Sequence, residues 1–159
     1  MEEGEDGVDE ELREILARMK LRLLEEAESK SRCCRLTHAL EPGHDVADPR
    51  ELLEVLEGCR VAFVMFYSPT CPYCRALTPI FLALAEDYGD RAAFVRVNTY
   101  RHPQLAAHYG VMGVPTVIVF IDGKPVTGFS GLVDPEDFES LVRDTLRRAG
   151  CPLQAQAPA

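Results

Sequence analysis

Val61-Ala62-Phe63-Val64-Met65-Phe66-Tyr67-Ser68-Pro69-Thr70-Cys71-Pro72-Tyr73-Cys74 is the stretch that decides the fold. Its first seven residues are apolar throughout, as in a parallel strand buried on both faces. A helical pattern then runs from Arg75 to Tyr88. Two cysteines separated by two residues, on the first turn of a helix that follows a buried strand, form a redox dithiol. Cys71 falls near the N-cap, where unpaired backbone N–H groups and the helix dipole stabilise a thiolate. Pro72 suits the first helical position, because its missing N–H would have had no partner there. The competing reading, half of a zinc site, needs two further ligands at compatible spacing.

Outward from the dithiol, the pattern alternates strand and helix. Toward the C-terminus, Pro79 kinks the dithiol helix near Thr78, and Ala93–Val97 is a second doubly apolar strand. A short helix around Pro103–Tyr109 leads through Gly110, Gly113 and Pro115 to a strand at Thr116–Ile121. Asp122-Gly123 turns into a strand at Pro125–Phe129. Asp134-Pro135-Glu136-Asp137 then opens a last helix reaching about Ala149. Toward the N-terminus, Asp48 is an N-cap, Pro49 an N1 residue and Glu51 a capping-box partner. Leu52, Leu53, Val55 and Leu56 supply that helix's buried side, and Gly58 ends it. Arg35–Leu40 is read as a short first strand, followed by a turn at Glu41-Pro42-Gly43-His44. The order βαβαββα implies an α/β layer fold with parallel strands and a closing antiparallel hairpin.

The first 30 residues differ in kind. Met1–Glu10 reads as a frayed acidic tail. From Glu11 to about Ser29, Leu12, Ile15, Leu16, Met19 and Leu23 form one apolar stripe among charges, with Leu21 on another face. Such a helix is expected to pack on its own domain, and self-association through residues 11–29 or docking of a partner is the alternative. Its mixed polar face is unlike that of a membrane-surface helix.

At 159 residues and 47% hydrophobic content, the chain supports about one domain with a short extension. No apolar run is long enough to cross a bilayer. Residues 1–11 carry seven acidic groups and no Lys or Arg, leaving 19 acidic against 17 basic groups elsewhere. That distribution holds no basic stripe for nucleic acid. An acidic N-terminus is also the wrong chemistry for a secretory leader, so a cytoplasmic location is expected. In that compartment six cysteines favour catalysis, sensing or metal binding over structural bridges. Intracellular proteins of hyperthermophiles are the exception. One Asn and three Gln lean toward a hot host, while three Lys against fourteen Arg lean away.

Strand, Cys-x-x-Cys, proline-kinked helix, strand and then Gly113-Val114-Pro115-Thr116 together resemble the thioredoxin superfamily over residues 48–149, and from about residue 33. The resemblance implies a thioredoxin-like α/β fold, a central mixed sheet flanked by helices, here with an added N-terminal amphipathic helix. It divides the chain into an acidic tail and helix (1–30), a thioredoxin-like domain (31–150) and a polar C-terminal tail (151–159). It further implies a cis proline at Pro115 beside the dithiol, and it matches Gly131 to a glycine near the end of the hairpin. Proline has no N–H to donate into the ladder, which leaves the backbone of Val114 free to bind an extended substrate segment.

Three features depart from the family's usual pattern. Cys71-Pro72-Tyr73-Cys74 is the dithiol typical of glutaredoxins. Met65 replaces a buried acid that many members carry, and Arg96 stands where some have lysine. The resemblance implies protein-disulfide reduction through a mixed disulfide, with Cys71 attacking, Cys74 resolving, and Pro72, Tyr73, Val114 and Pro115 facing the substrate. It implies disulfide-containing clients and a flavin-containing thioredoxin reductase (FAD, NADPH) as electron donor. The chain itself has no Gly-x-Gly-x-x-Gly fingerprint, and no cofactor is expected. Glutathione-linked or isomerase activity, a metal or iron–sulfur scaffold, and a client-docking module are the other functions considered. Of the remaining cysteines, adjacent Cys33 and Cys34 are awkward to bridge to each other. With His38 and His44 they match no familiar zinc spacing. Cys59 is expected as a buried thiol and Cys151 as an exposed one.

Overall fold

The computed structural model describes residues 2–36 and 40–153, with side chains given for 9–25, 33–36 and 40–153. The doubly apolar run becomes β2 (Val61–Tyr67), the central strand of a five-stranded sheet. Beside it lies β3 (Ala93–Asn98), and outside that β1 (His44–Asp45), all three parallel. On the other side β4 (Thr116–Ile121) runs antiparallel to β2, and β5 (Lys124–Ser130) runs antiparallel to β4. The β4–β5 turn places Asp122 and Gly123 at φ 51° and 80°, the left-handed pair of a tight primed hairpin turn.

Alternation along β2 sends side chains into two apolar layers. Val61, Phe63 and Met65 meet α3 (Pro72–Tyr88) and α5 (Pro135–Arg148) through Leu77, Phe81, Phe138 and Val142. Ala62, Val64 and Phe66 meet α2 (Pro49–Gly58) and α4 (Pro103–His108) through Leu52, Val55 and Ala106. Phe63 stacks on Phe94 with ring centroids 4.8 Å apart, and Phe81 meets the same ring edge-on at 5.6 Å. Both faces of the central strand are thus covered by helices, which is why its sequence does not alternate.

Several expectations change. Arg35–Leu40 is not the first strand. Cys34 forms an isolated bridge with Cys59, Arg35 and Leu36 turn, and residues 37–39 (with His38) lie outside the described ones. The edge strand is His44–Asp45, too short to carry a periodic signal and continuous with the turn before it. Asp48 caps α2 by accepting the Glu51 N–H at 2.9 Å. The Glu51 carboxylate does not close a capping box; it pairs with His44 Nε2. Leu53 faces solvent, so α2's buried side is Leu52, Val55 and Leu56. Asp134 occupies the N-cap of α5 without a side-chain hydrogen bond.

Helix α1 runs from Glu2 to Cys33, replacing the expected frayed tail to Glu10. Its residues 9–25 do not pack on the domain, since all are exposed. No described helix is long and apolar enough to cross a membrane. The four outlying cysteines are not thiols. Cys33 is bonded to Cys151 and Cys34 to Cys59, and all four are at most 6% exposed. Adjacent Cys33 and Cys34 each find a distant partner, since neighbours in sequence project in different directions. Cys151 is carried inward beyond α5 by its N–H to the Leu146 carbonyl, 2.8 Å. Neither a linear pattern nor a spacing rule contains that fold-back.

Candidate active site

The dithiol stands where β2 gives way to α3. Cys71 is the N-cap residue of α3, with Pro72 in the first turn. The Cys71 sulfur accepts the Cys74 N–H at 3.2 Å, so one orphan donor of the helix start is aimed at it. Arg75 N–H bonds the Cys71 carbonyl at 3.2 Å and Cys71 N–H bonds the Ser68 carbonyl at 3.3 Å, which fixes the turn. Both cysteines are free thiols, Cys71 half-buried and Cys74 buried.

The two thiols differ in environment. Burial, followed by the interaction with Cys71, pushes the Cys74 thiol up to about 11, so it holds its proton at neutral pH. Met65, fully buried in the same apolar layer as Cys74, brings no titratable group to it. Farther into α3, Pro79 removes an N–H from the helix ladder while Thr78 Oγ1 donates back to the Cys74 carbonyl at 2.7 Å.

Across from Cys71 is the loop leading into β4. The Val114–Pro115 peptide is cis, as the resemblance implies. The Cys71 thiol lies 3.7 Å from the Val114 carbonyl. Gly131, at φ 87°, donates its N–H to the Pro115 carbonyl at 2.8 Å. A side chain there would strain that backbone, which is the local reason for glycine. Thr116 Oγ1 pins the loop further, donating to Gly113 O at 2.7 Å.

Cys71, Pro72, Tyr73 and Cys74 from the start of α3 are thus brought together with Val114 and Pro115 from the loop before β4, with Cys74 and Pro115 buried beneath the others. Tyr73 is 65% exposed beside the thiols. Tyr100, which the sequence offered no motif to select, borders this surface through Thr70, and Met112 stands exposed in the loop that leads to Val114. The Tyr100 hydroxyl lies 2.9 Å from Thr70 Oγ1, and Met112, two residues before Val114, is 98% exposed. The available signal was an apolar residue in a glycine-bounded turn, which is weak on its own. A groove of about 810 Å³ between α2 and the β4–β5 turn shares no lining residue with the dithiol.

Arg96 is engaged away from the thiols. Its Nε donates to the Gly43 carbonyl at 2.9 Å, and its guanidinium lies 5.1 Å from the Tyr67 ring centroid. Tyr67 in turn donates to Asp45 at 2.6 Å. Burial and that carboxylate push the Tyr67 hydroxyl up to about 12, so it stays a donor. These contacts tie the short edge strand to the segment that ends at the dithiol. Among the described residues no cluster of three or more His, Cys, Asp or Glu is arranged to hold a metal ion.

A family model described as Thioredoxin matches residues 52–144, more than half the chain and the whole of this site. The chain belongs to the thioredoxin family. Thioredoxin 1 of Synechococcus elongatus is 36% identical over 88 residues, covering 55% of this chain and 82% of the relative. Thioredoxin of Porphyra purpurea is 34% identical over 97 residues, or 61% and 91% of the two chains. Among solved structures, a point-mutant thioredoxin from Halobacterium salinarum superposes with a TM-score of 0.62 at 29% identity, covering 74% of this chain and 96% of that one. As a thioredoxin-family protein the chain is a thiol–disulfide oxidoreductase, of the protein-disulfide reductase kind.

Proposed function

We propose that this thioredoxin-family chain reduces protein disulfides with Cys71 as nucleophile and Cys74 as resolving thiol. The observation that carries the assignment is the asymmetry of the pair. The Cys71 sulfur is half-buried at the helix start with a backbone N–H on it, whereas Cys74 is buried and holds its proton. The Cys71 thiolate attacks one client sulfur, a Cys71–client bond forms, and the other client sulfur leaves as thiolate and takes a proton. Cys74 then gives up its proton and attacks Cys71 Sγ, releasing the second client thiol. Two electrons have passed to the client, and the Cys71–Cys74 disulfide remains.

Val114 and Pro115 hold an extended client segment beside Cys71, with Pro72 and Tyr73 on the other border. An open surface, rather than a deep pocket, suits a client that is itself a folded protein. Reopening of the Cys71–Cys74 disulfide is assigned to an FAD-containing thioredoxin reductase drawing on NADPH. The Pro72-Tyr73 pair raises the potential relative to family members with Gly-Pro between the cysteines. We place the protein in the cytoplasm, where such a donor works. Cys33–Cys151 and Cys34–Cys59 persist there because burial keeps them from exchange.

The test is turnover of a disulfide-linked protein substrate with dithiothreitol. Cys71→Ser is expected to be inactive, and Cys74→Ser to accumulate a covalent client adduct that non-reducing electrophoresis detects. An adduct on Cys71→Ser but not on Cys74→Ser reverses the assignment. Rapid alkylation in cells checks the location: Cys71 and Cys74 are trapped as thiols while the other four resist.

A further inference from the structure

The reductase chemistry leaves α1 without a role, yet the helix exposes a run of large apolar side chains. Leu12, Ile15, Leu16, Met19 and Leu23 are between 51% and 63% exposed, on one stripe of the helix. The base of α1 is held fast. Cys33 and Cys34 are bridged to Cys151 and Cys59, Arg60 N–H bonds the Cys33 carbonyl at 2.7 Å, and Arg35 N–H bonds Gly58 O at 2.8 Å. A helix fixed at its root, with a bare apolar stripe along residues 12–23, is built to be covered by something outside its own domain.

The charges beside the stripe say what covers it. At about 100° per residue, Asp9 and Lys20 border the stripe on one edge, Glu11 and Arg22 on the other. The charged residue nearer residue 10 is thus acidic and the one nearer residue 21 basic on each edge, with Arg13 and Glu25 farther round the helix. Two parallel copies related by a two-fold axis along the helices would set Asp9 against Glu11 and Lys20 against Arg22, like charge against like. Antiparallel copies related by a two-fold axis between Ile15 and Leu16 set Asp9 against Lys20 and Glu11 against Arg22, each pair occurring twice. The same register lays Leu12 against Met19 and brings Ile15 and Leu16 together at the axis. Glu14 and Arg18 pair within the helix at 3.9 Å.

We propose that α1 is a dimerisation arm that pairs antiparallel with α1 of a second copy through this stripe. The interface is isologous and closed, so it yields dimers and not filaments. Residue 33 lies about 26 Å along the helix from the axis, so the two domains sit roughly 50 Å apart. Both dithiols stay open to clients.

Sedimentation velocity of the oxidised full chain across a concentration series tests the proposal. A reversible dimer is expected, and Leu16→Glu/Met19→Glu is expected to weaken it at least about tenfold with unchanged turnover. Circular dichroism confirms that α1 stays helical in that variant; if α1 melts, Leu16→Gln/Met19→Gln takes its place. Charge exchange tests the direction. Lys20→Glu/Arg22→Glu and Asp9→Lys/Glu11→Arg are each expected to dimerise poorly, and their mixture to recover dimer. A monomer at millimolar concentration overturns the proposal, as does a dimer that survives loss of the stripe. Homodimers of either variant as tight as those of the unsubstituted chain overturn the antiparallel register, because parallel pairing sets like charges together in all three.

Discussion

Six cysteines divide into two groups that share an element and little else. Cys71 and Cys74 lie one helical turn apart at the start of α3, free and next to an open surface. Cys33, Cys34, Cys59 and Cys151 lie at the junction of α1, α2 and the end of α5, bonded in pairs and buried. In the first group a backbone N–H and a cis-proline loop frame one sulfur; in the second, apolar neighbours close over all four. A cysteine's task is thus set by access and by what points at the sulfur. The two groups also act at different places. The open pair stands at the C-terminal end of the central strand, and the closed pairs clamp the root of α1 to the domain.

The sharpest way to break this contrast is substitution of each group. Replacing all four bridged cysteines by serine is expected to leave disulfide-reductase turnover within about twofold at a temperature where the variant is folded. Cys71→Ser alone is expected to reduce it to background, a loss of several orders of magnitude. Comparable losses from both would mean that the clamp shapes the catalytic surface.

The two thiols of the open pair are themselves separable by pH. Because Cys74 is raised to about 11, its thiolate fraction at neutral pH is small and grows about tenfold per pH unit up to that value. Release of client from a preformed Cys71 mixed disulfide is therefore expected to accelerate as pH rises above 7, because burial alone still favours the protonated Cys74 once the Cys71 thiol is consumed. Stopped-flow release measures this. Met65→Asp puts a carboxyl into the same buried layer, and is expected to flatten the profile near neutrality while lowering stability. An unchanged profile in that variant would show that the proton leaves by another route.

Stability sharpens the comparison from the other side. The bridges span 118 and 25 residues, for which loop-closure entropy gives about 5 and about 3.5 kcal/mol. Cys33→Ser/Cys151→Ser is expected to lower Tm by roughly 10–20 °C, and Cys34→Ser/Cys59→Ser by somewhat less. Reducing the Cys71–Cys74 disulfide is expected to move Tm far less, since it closes only a turn. Scanning calorimetry of the variants checks both.

A smaller effect concerns redox poise. With Pro72-Tyr73 between its cysteines, the open pair is expected between about −260 and −200 mV, above thioredoxin at about −270 mV. Equilibration against a thiol buffer, with the other four cysteines replaced, measures it. A value near about −120 mV would make the protein an oxidant. The smallest expected change is Asp48→Ala, which removes the cap of α2 and costs about 1 kcal/mol without touching either cysteine group. Urea titration reads it.

Strand β2, the dithiol helix and the hairpin were legible because each leaves a local signature. Seven consecutive apolar residues mark a doubly covered strand, Cys71 with Pro72 marks a helix start, and Asp122-Gly123 marks a primed turn. Most of the surface around Cys71 followed from the same signals, with Val114 and Pro115 drawn in by resemblance to a family. What the residues alone determined was therefore chemistry with a period or a fixed short spacing. The tertiary structure alone decided the cysteine pairings, the two-residue edge strand, the contacts of Arg96 and the exposure of residues 9–25 of α1. Cys151 meets Cys33 across 118 residues, a contact that depends on how α5 docks and on where the chain turns after it. The stripe on α1 has the same pattern whether it is buried or bare, because amphipathic period reports which residues share a face. Whether anything lies against that face is a property of the whole fold.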